Sequence, residues 1–343
     1  SPPALRRASP VRDTLLAGRV KETLPPEADG LLRRLEDNLP SGAVFQLVRG
    51  AGHRFAFRRL SAGIAAMAGV SAGDALSDAD RLFQRVDEDD RPRLLEAFAA
   101  SAEAQSDVDV ELRLTGPAGE VRWAEVRARP RRTPDGVSWD GFLTDTTDRK
   151  RAELLLAAEN RLSALLAESP PMDALWAPLV GVVADALGWE AGECWRLDPS
   201  AGALKRVHAW CRPKPPLERF VADSAAWAFP AGDGLPGLAW QGGEPVWMPD
   251  LAGEPFFRRK ELARDAGLGC GVGVPVRAAG LGCVAVVALF SRPPGQDFPA
   301  MRAFMRGLGR TLSRYLDHQR AEAHLRAAKD AAERANRAKD LFL

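Results

Sequence analysis

The sequence contains few of the residues that carry metal and redox chemistry: of 343 residues, four are cysteines and four are histidines. The cysteines are Cys194, Cys211, Cys270 and Cys283. No two of them have the Cys-x-x-Cys spacing of a zinc ribbon or a thioredoxin-like site. We therefore expect no metal site, and reduced thiols that pack as small hydrophobic groups in a cytoplasmic protein, with redox sensing as a minor alternative.

The chain also lacks an excess of charge and a long apolar run. Its 47 Lys and Arg residues balance 46 Asp and Glu residues, which argues against general binding to nucleic acid or anionic membranes, although a local basic patch stays open. The longest apolar runs, Val272–Val276 and Cys283–Phe290, are far shorter than the roughly 20 residues that span a bilayer. No apolar run follows the Pro- and Arg-containing residues 1–7, so we expect no signal peptide and no transmembrane segment.

The residues that are present form two successive α+β patterns, and the length suits two domains of about 150 residues each. In the first pattern, hydrophobic alternation and turn residues predict strands and one longer helix. The predicted strands are 43–48, 55–60, 108–114, 121–129 and 137–144, and the predicted helix is 93–104. The last three strands form an antiparallel meander.

The second pattern begins after a charged helix predicted from Asp145 to about Glu168. A further helix ends at Gly188, and apolar segments then predict two hairpins. The predicted strands are 191–197, 204–211, 270–276 and 281–290, with a polar helix at 258–266. The Pro-, Gly- and Trp-rich residues 212–250 between the hairpins are interpreted as a mobile lid, because long loops in compact domains are usually functional or disordered.

A final helix is predicted from about Pro299 to the end of the chain, with coiled-coil spacing. Its apolar positions step by three and four residues in two stretches, which are Met301, Met305, Leu308, Leu312 and Tyr315, then Ala328, Ala331, Ala335, Ala338 and Phe342. Such a seam needs a partner, so we expect a parallel homodimer.

Residues 40–150 resemble a PAS domain. The most specific part is Trp139-Asp140-Gly141-Phe142-Leu143-Thr144-Asp145-Thr146-Thr147-Asp148-Arg149. PAS domains commonly end in an Asp-x-Thr step followed by a charged helix, and Asp145 and Thr147 occupy that step. The resemblance implies that these two residues relay a signal, by capping the next helix and tying it to the last strand.

Two further motifs support this resemblance. Val86-Asp87-Glu88-Asp89-Asp90-Arg91 is similar to the family's His-Pro-Asp-Asp-Arg step, although Asp87 and Glu88 stand where His-Pro is usual. Gly119-Glu120-Val121-Arg122-Trp123 matches the hairpin that opens the penultimate strand.

Residues 171–316 resemble a GAF domain. The distinctive runs are Asp233-Gly234-Leu235-Pro236-Gly237-Leu238-Ala239-Trp240, Gly243-Glu244-Pro245-Val246-Trp247-Met248-Pro249-Asp250-Leu251 and Gly271-Val272-Gly273-Val274-Pro275-Val276. Together with the first domain this implies an α+β protein of two antiparallel sheet domains, linked by long signalling helices and ending in a coiled coil.

The C-terminal run Ala331–Leu343 resembles the helix that enters the dimerisation and phosphoacceptor domain of sensor histidine kinases. The resemblance implies a bacterial kinase parent whose phosphoacceptor His follows shortly after this chain. The expected organisation is a tail at 1–28, a PAS domain at 29–149, a signalling helix at 150–170, a GAF domain at 171–316 and a coiled coil at 317–343.

We expect no catalysis by the chain itself. His318 and His324 lie on the final helix, but neither is followed by the acidic residue and nearby Pro of a phosphoacceptor. No Gly-rich nucleotide lid or Asn-rich ATP site is visible, so ATP would bind only in the kinase portion, which would also contact the response regulator.

Two pockets are candidates for a small-molecule ligand, and in each a plain hydrophobic core is the competing interpretation. In the PAS segment the candidate residues are Phe45, Phe57, Leu112, Trp123 and Phe142. In the GAF segment indole rings are dense, and these suit planar ligands such as a cyclic nucleotide, a tetrapyrrole or an indolic metabolite. The GAF candidates are Trp195, His208, Trp210, Trp240, Trp247 and Cys270.

The sequence offers little support for a flavin, a covalent bilin or a haem. The PAS segment has no cysteine for a flavin photoreceptor, and Cys270 precedes Gly271 where a covalent bilin site would usually have a His. Haem on His208 stays open, although a lone strand His is more often structural. The basic residues Arg258, Arg259, Lys260 and Arg264 are interpreted as a solvated helix face, with an anion site as the alternative.

The expected function is sensing and relay for a two-component histidine kinase. A ligand or partner would shift the balance between two packings of the coiled-coil helices. The alternatives are the input region of a diguanylate cyclase, or an interaction and dimerisation module that binds no small molecule.

Overall fold

A computed structural model of the chain describes residues 36–39, 41–50, 54–134, 136–292 and 297–341, with backbone only at 172–173, 335–336 and 338–341. The described residues form two antiparallel sheets, each with its own helices, and a long C-terminal helix. The α+β class expected from the sequence is confirmed. The predicted tail at 1–28 and most of the short helical pattern before Leu39 lie outside the described residues.

The first sheet has five strands in the order β2-β1-β5-β4-β3, so that the first and last strands are neighbours. The strands are β1 (Gly42–Gly50), β2 (Phe55–Leu60), β3 (Val108–Thr115), β4 (Val121–Thr133) and β5 (Gly136–Asp145). The helices are α1 (Gly63–Ala68), α2 (Ala72–Ser77), α3 (Asp80–Phe83) and α4 (Arg91–Ala104). Buried residues alternate along β3, as the sequence predicts, because only one sheet face is covered by these helices.

The second sheet has six strands in the order β8-β7-β6-β11-β10-β9. The strands are β6 (Ala191–Asp198), β7 (Ala203–Cys211), β8 (Ala228–Phe229), β9 (Val246–Met248), β10 (Cys270–Ala278) and β11 (Gly282–Ser291). The helices are α6 (Met172–Ala186), α7 (Pro215–Asp223), α8 (Gly234–Gly242) and α9 (Lys260–Asp265). Helix α5 (Thr147–Ala167) joins the two sheets, and α10 (Pro299–Leu341) follows β11.

Helices cover the second sheet on both faces. Along β11, Ala285, Val287 and Leu289 pack with α5, α6 and α10. Their neighbours Val286 and Phe290 pack on the opposite face with α7, α8 and α9. Both faces are apolar, which explains why β10 and β11 read as continuous hydrophobic runs instead of alternating ones.

The interpretation of residues 212–250 as a mobile lid is wrong. This segment contains α7, a 3-10 helix at Ser224–Ala226, β8, α8 and β9. Leu217, Phe220 and Leu235 are buried in the core on the α7–α9 face of the sheet. Its Pro and Gly residues delimit several short elements that pack on the sheet, and this is why the composition resembled that of a loop.

The expected coiled-coil seam is also partly wrong. Met301, Met305, Leu308 and Leu312 are buried against the second sheet of their own chain, so this stretch needs no second copy. The same three-four spacing suits a helix that packs on a sheet. The helix then leaves the domain, and every side chain from residue 323 to residue 334 is exposed.

Two glycines of α10 test how closely this helix approaches β10. A methyl group on Gly309 would lie 2.9 Å from the Pro275 carbonyl oxygen, whereas one on Gly307 would meet no atom within 4 Å. We expect Gly307→Ala to raise the free energy of unfolding by about 0.5–1 kcal/mol, because Ala favours the helix over Gly. Gly309→Ala should give no gain or a loss, since the helix must shift. Urea unfolding measures both, and equal gains would contradict the close packing.

Candidate functional site

The hollow of the first sheet is almost filled by its own side chains. Phe45, Phe57 and Leu112 line it together, as the sequence predicts, and all three are buried. Phe45 meets Phe57 edge to face, with ring centroids 6.1 Å apart. The remaining cavity is about 40 Å³, whereas pockets for small organic ligands typically measure about 300–1,000 Å³. In this conformation the hollow is a packed core.

Trp123 and Phe142, the other two candidates of the PAS segment, do not line this hollow. Phe142 is 44% exposed, beside the buried Leu143, and Trp123 precedes the buried Ala124. Side chains alternate along a strand, so a residue next to a core position faces outward. The Nζ atom of Lys150 on α5 lies 5.1 Å from the Trp123 ring centroid. Trp123 therefore contacts the connecting helix and not the core.

The candidate residues of the GAF segment are divided between the two faces of the second sheet. Trp195 and Trp240 pack on the face with α7–α9, whereas Trp210 and Trp247 pack on the face with α5, α6 and α10. A single pocket that combines all these indoles is therefore not formed.

Burial shifts the pKa values of both His208 and Cys270. It lowers the pKa of His208, and the charge of Arg206 adds to this effect. Burial raises the pKa of the Cys270 thiol to about 11, although hydrogen bonds with Ser291 oppose the shift. A thiol of that pKa is a weak nucleophile and a weak metal ligand at neutral pH.

The α7–α9 face contains a buried ion pair that the sequence analysis did not predict. Arg259 is 2% exposed and Glu193 is fully buried, and their Nη1 and Oε1 atoms lie 2.8 Å apart. The same Nη1 donates a 2.6 Å hydrogen bond to the Ser224 hydroxyl. Trp195 Nε1 donates to the other carboxylate oxygen at 3.2 Å. The basic cluster predicted a solvated helix face or an anion site. Arg259 is instead buried and paired, so it is neither solvated nor free to bind an external anion.

Five aromatic rings surround the guanidinium of Arg259. The distances from Cζ to the ring centroids range from 4.9 to 5.7 Å, and the rings belong to Trp195, Phe220, Phe229, Phe257 and Phe290. The Nε and Nη2 atoms have no hydrogen-bond partner among the described residues. Aromatic faces attract cations, so the rings stabilise these groups. The space in which a planar ligand would stack is occupied by this side chain.

A signal for this pair exists in the sequence. Glu193 is the only acid in the first five residues of β6, a strand that is otherwise apolar there. A buried carboxylate requires a cation. Its nearest cation, Arg259, stands 66 positions later in a group of four basic residues, and nothing local distinguishes Arg259 within that group. A second cation, Arg206 on the neighbouring strand β7, has its Nη1 atom 3.5 Å from the same carboxylate oxygen.

The Asp-x-Thr step joins the first sheet to α5. The Asp145 carboxylate accepts a hydrogen bond from the Thr147 amide at 2.9 Å and pairs with Arg122 at 3.1 Å. The Thr147 hydroxyl accepts from the Trp123 amide of β4 at 3.0 Å. Asp145 thus accepts from the first amide of the helix, one residue before the N-cap position Thr146, and Thr147 ties the first turn to the sheet.

The described residues contain no group of three His, Cys, Asp or Glu side chains arranged to hold a metal ion. Among the helices of the described part of the chain, none has the length and apolarity to cross a membrane.

Comparison with known families divides the chain in the same way as the two sheets. A model described as PAS fold matches residues 57–141. A model described as GAF domain matches residues 177–317. A search of curated proteins gave no match.

Solved structures resemble the chain with low identity. One is a free methionine-R-sulfoxide reductase from Neisseria meningitidis in complex with its substrate, at 19% identity and TM-score 0.41, covering 50% of this chain and 93% of that one. Another is the GAF domain of a phosphoenolpyruvate-protein phosphotransferase from Coxiella burnetii, at 16% identity and TM-score 0.41, with 50% and 98% covered. The chromophore-binding domain of a Stigmatella aurantiaca bacteriophytochrome has 16% identity and TM-score 0.37, with 81% and 94% covered.

The buried pair can be tested by removing its two charges separately and together. Arg259→Met leaves the Glu193 carboxylate buried without its main cation, which should lower the free energy of unfolding by about 3–5 kcal/mol. Adding Glu193→Gln should recover part of this loss, because the uncompensated carboxylate is removed. The recovery should be incomplete, since Arg206 also pairs with Glu193 and keeps its charge. Urea unfolding followed by tryptophan fluorescence measures all three variants.

Arg258→Met is the matched control, since Arg258 is exposed and pairs with Asp233 at the surface. It should change stability by about 0.5 kcal/mol or less. A double variant as unstable as the sum of its single variants would contradict the coupling.

Proposed function

Because the chain carries a PAS domain followed by a GAF domain, we propose that it is the sensing and relay region of a sensor histidine kinase. PAS and GAF domains are sensory modules, which supports a role in signal transduction. The kinase output, the response regulator partner and a cytoplasmic location belong to the proposal, as do the domain limits 29–149 and 171–316.

Contacts between helices α5 and α10 link the first sheet to the C-terminal helix and support this proposal. Helix α5 starts at the Thr147 tie and packs Ala158 and Leu162 into the core of the second domain. Tyr315 of α10 donates a 2.6 Å hydrogen bond to the Pro170 carbonyl, just beyond the end of α5. A displacement of the PAS sheet that moves α5 would therefore alter the face of the second sheet on which α5 and α10 both pack.

The mechanism follows from this shared face. Two packings of α5, α6 and α10 that differ by a few kcal/mol would respond to any ligand or partner that favours one of them. The exposed end of α10 would transmit the difference as a rotation, shift or register change. The resemblance of Ala331–Leu343 to a kinase entry helix favours this output over a diguanylate cyclase.

An interaction module without a small-molecule ligand is the second candidate. The PAS cavity of about 40 Å³ and the filled space around Arg259 favour it. Native mass spectrometry of freshly purified protein, combined with an absorption spectrum, would distinguish a chromophore, a colourless ligand and an empty chain.

Dimerisation through the exposed part of α10 is a direct consequence of the proposal. Leu325 is 72% exposed on a helix that has no packing partner beyond residue 322 within the described chain. An unsupported helix of this length is marginal in water, so a second copy should cover it. Sedimentation at micromolar concentration should give a dimer for the full chain and a monomer for a chain ending at residue 320.

Leu325→Glu should weaken the dimer, whereas Leu156→Glu, a matched change at a 58% exposed position on α5, should leave it intact. A monomer for the full chain, unaltered by the truncation, would rule out this interface.

The kinase relay is tested in the full-length protein. Incubation with ATP should give an acid-labile phosphoryl group on histidine, and the double change Asp145→Ala and Thr147→Ala should alter its rate. Loss of the cap and of the tie costs about 1 kcal/mol each, which together shift a two-state balance by about thirtyfold without unfolding the domain.

Asp140→Ala is the control, because this exposed acid on β5 bonds only Gln46 and Arg131 among the contacts found. Unchanged basal and stimulated phosphorylation would remove the coupling role, and formation of cyclic diguanylate from GTP would favour the alternative output.

A further inference from the structure

An acidic turn in the first domain lies close to basic residues of the second. The turn is Asp87-Glu88-Asp89-Asp90, which departs from the family pattern by having acids where His-Pro is usual. Two of its acids face inward. Asp90 accepts hydrogen bonds from the backbone and side chain of Arg113 at 2.9 and 2.8 Å, and Asp87 pairs with the same Arg113 at 3.0 Å.

The other two acids reach the second domain, and Asp89 Oδ2 also lies 4.0 Å from Arg113 Nη2 in its own domain. Glu88 Oε1 lies 3.1 Å from Arg292 Nη1, and Asp89 Oδ2 lies 3.0 Å from Arg292 Nη2. Asp89 also lies 3.4 Å from Lys214 Nζ. The two Nη atoms of one guanidinium therefore bind two successive carboxylates, a geometry that Lys could not provide.

Arg292 is held in position from its own domain. Its Nε atom donates to Glu190 Oε1 and its backbone amide donates to Glu190 Oε2, both at 3.0 Å. The Glu190 side chain is only 8% exposed. The fork of Arg292 is therefore presented toward the acidic turn by a nearly buried carboxylate, and it is not a freely moving surface group.

The position of Arg292 gives this contact a consequence for the output. Arg292 directly follows β11, the strand after which α10 begins at Pro299. We propose that Arg292, with Lys214, is a docking site for the Glu88–Asp89 turn, and that this latch couples the PAS domain to the base of α10 by a route that does not pass through α5.

The latch is suited to open and close. A cavity of about 410 Å³ adjoins it, bounded by residues of both domains such as Trp123, Leu154, Gly188 and Lys214. The domains therefore meet here through ion pairs beside open space. Partly exposed pairs contribute about 0–1 kcal/mol each and weaken with salt.

A high salt concentration should open the latch, whereas a change of pH within the neutral range should not. Burial raises the pKa of Asp89, but the charges of Arg292 and Lys214 together outweigh it and hold the pKa below its ordinary value. The stabilisation that the Asp89 carboxylate gives to the contact is thus fully present above the ordinary pKa of an Asp side chain. It is lost only as the pH falls through the lowered pKa. The contact stays charged across the neutral range.

The experiment measures the distance between the two domains. Spin labels on cysteines placed at Ser77 and Ala252, both exposed, report the separation by pulsed electron resonance. The background carries Cys211→Ala, because the other three native thiols are buried and should not react. At about 0.05 M salt the unaltered turn should give one narrow distance, which broadens and shifts at about 1 M salt as screening shortens to a few Å.

The double change Glu88→Gln and Asp89→Asn should give the broad distribution at both salt concentrations, while leaving the Glu190–Arg292 pair intact. Asp107→Asn, at an exposed acid that pairs with Arg129 within the first domain, is the control and should keep the narrow distance. Exchanging the charges by Asp89→Lys with Lys214→Asp should narrow the distribution relative to Asp89→Lys alone.

A narrow distribution in the double variant would overturn the proposal. So would loss of PAS folding in that variant by circular dichroism, because the acids would then stabilise their own domain and not the contact. The outcome does not depend on which output domain follows, so it can fail independently of the kinase proposal.

Discussion

The second sheet has two apolar faces to cover, and this requirement sets the positions of most other elements. Because β10 and β11 are buried on both sides, helices must pack on each. One face is covered by α6 together with α5 and α10, the helices that join the chain to what lies before and after this domain. These connecting helices are therefore part of the core, and a change in their packing cannot leave the sheet unaffected.

The opposite face is closed in a different way. The Arg259–Glu193 pair lies inside a shell of aromatic rings, where a charge separated from its partner would be strongly unfavourable. Opening this face would require both charges to be exposed or paired elsewhere. The α7–α9 side should therefore be stiff, whereas the side that carries α5 and α10 ends in a partly exposed helix. Conformational change is therefore easier on the face covered by α5, α6 and α10.

The sequence predicts elements well where a pattern is local. Alternation along β3 and the continuous runs of β10 and β11 gave their positions to within one or two residues. Local patterns did not show which face a tryptophan occupies, because Trp195 and Trp210 lie on different strands whose facing depends on register. The same limit applies to α10, where one spacing fits both a coiled coil and a helix packed on a sheet.

Charged contacts over long sequence distances were the least predictable part of the site. Arg259 and Arg292 are each one arginine among many, and only the fold brings them to Glu193 and to the acidic turn. The turn itself was visible as a departure from the PAS pattern, but its partner is separated from it by about 200 positions. Composition therefore suggested a solvated surface where the structure has specific pairs.

Three connections of unequal strength link the PAS sheet to α10. The packing of α5 buries apolar side chains, and a leucine such as Leu162 is worth about 1.5–3 kcal/mol. The cap and tie at Asp145 and Thr147 contribute about 1 kcal/mol each. The ion pairs of Arg292 contribute less. A relay needs connections that can change with the few kcal/mol that a ligand or partner supplies. In the relay that we propose, the strong connection would keep the two domains in register, and the two weaker ones would be where a signal alters the packing.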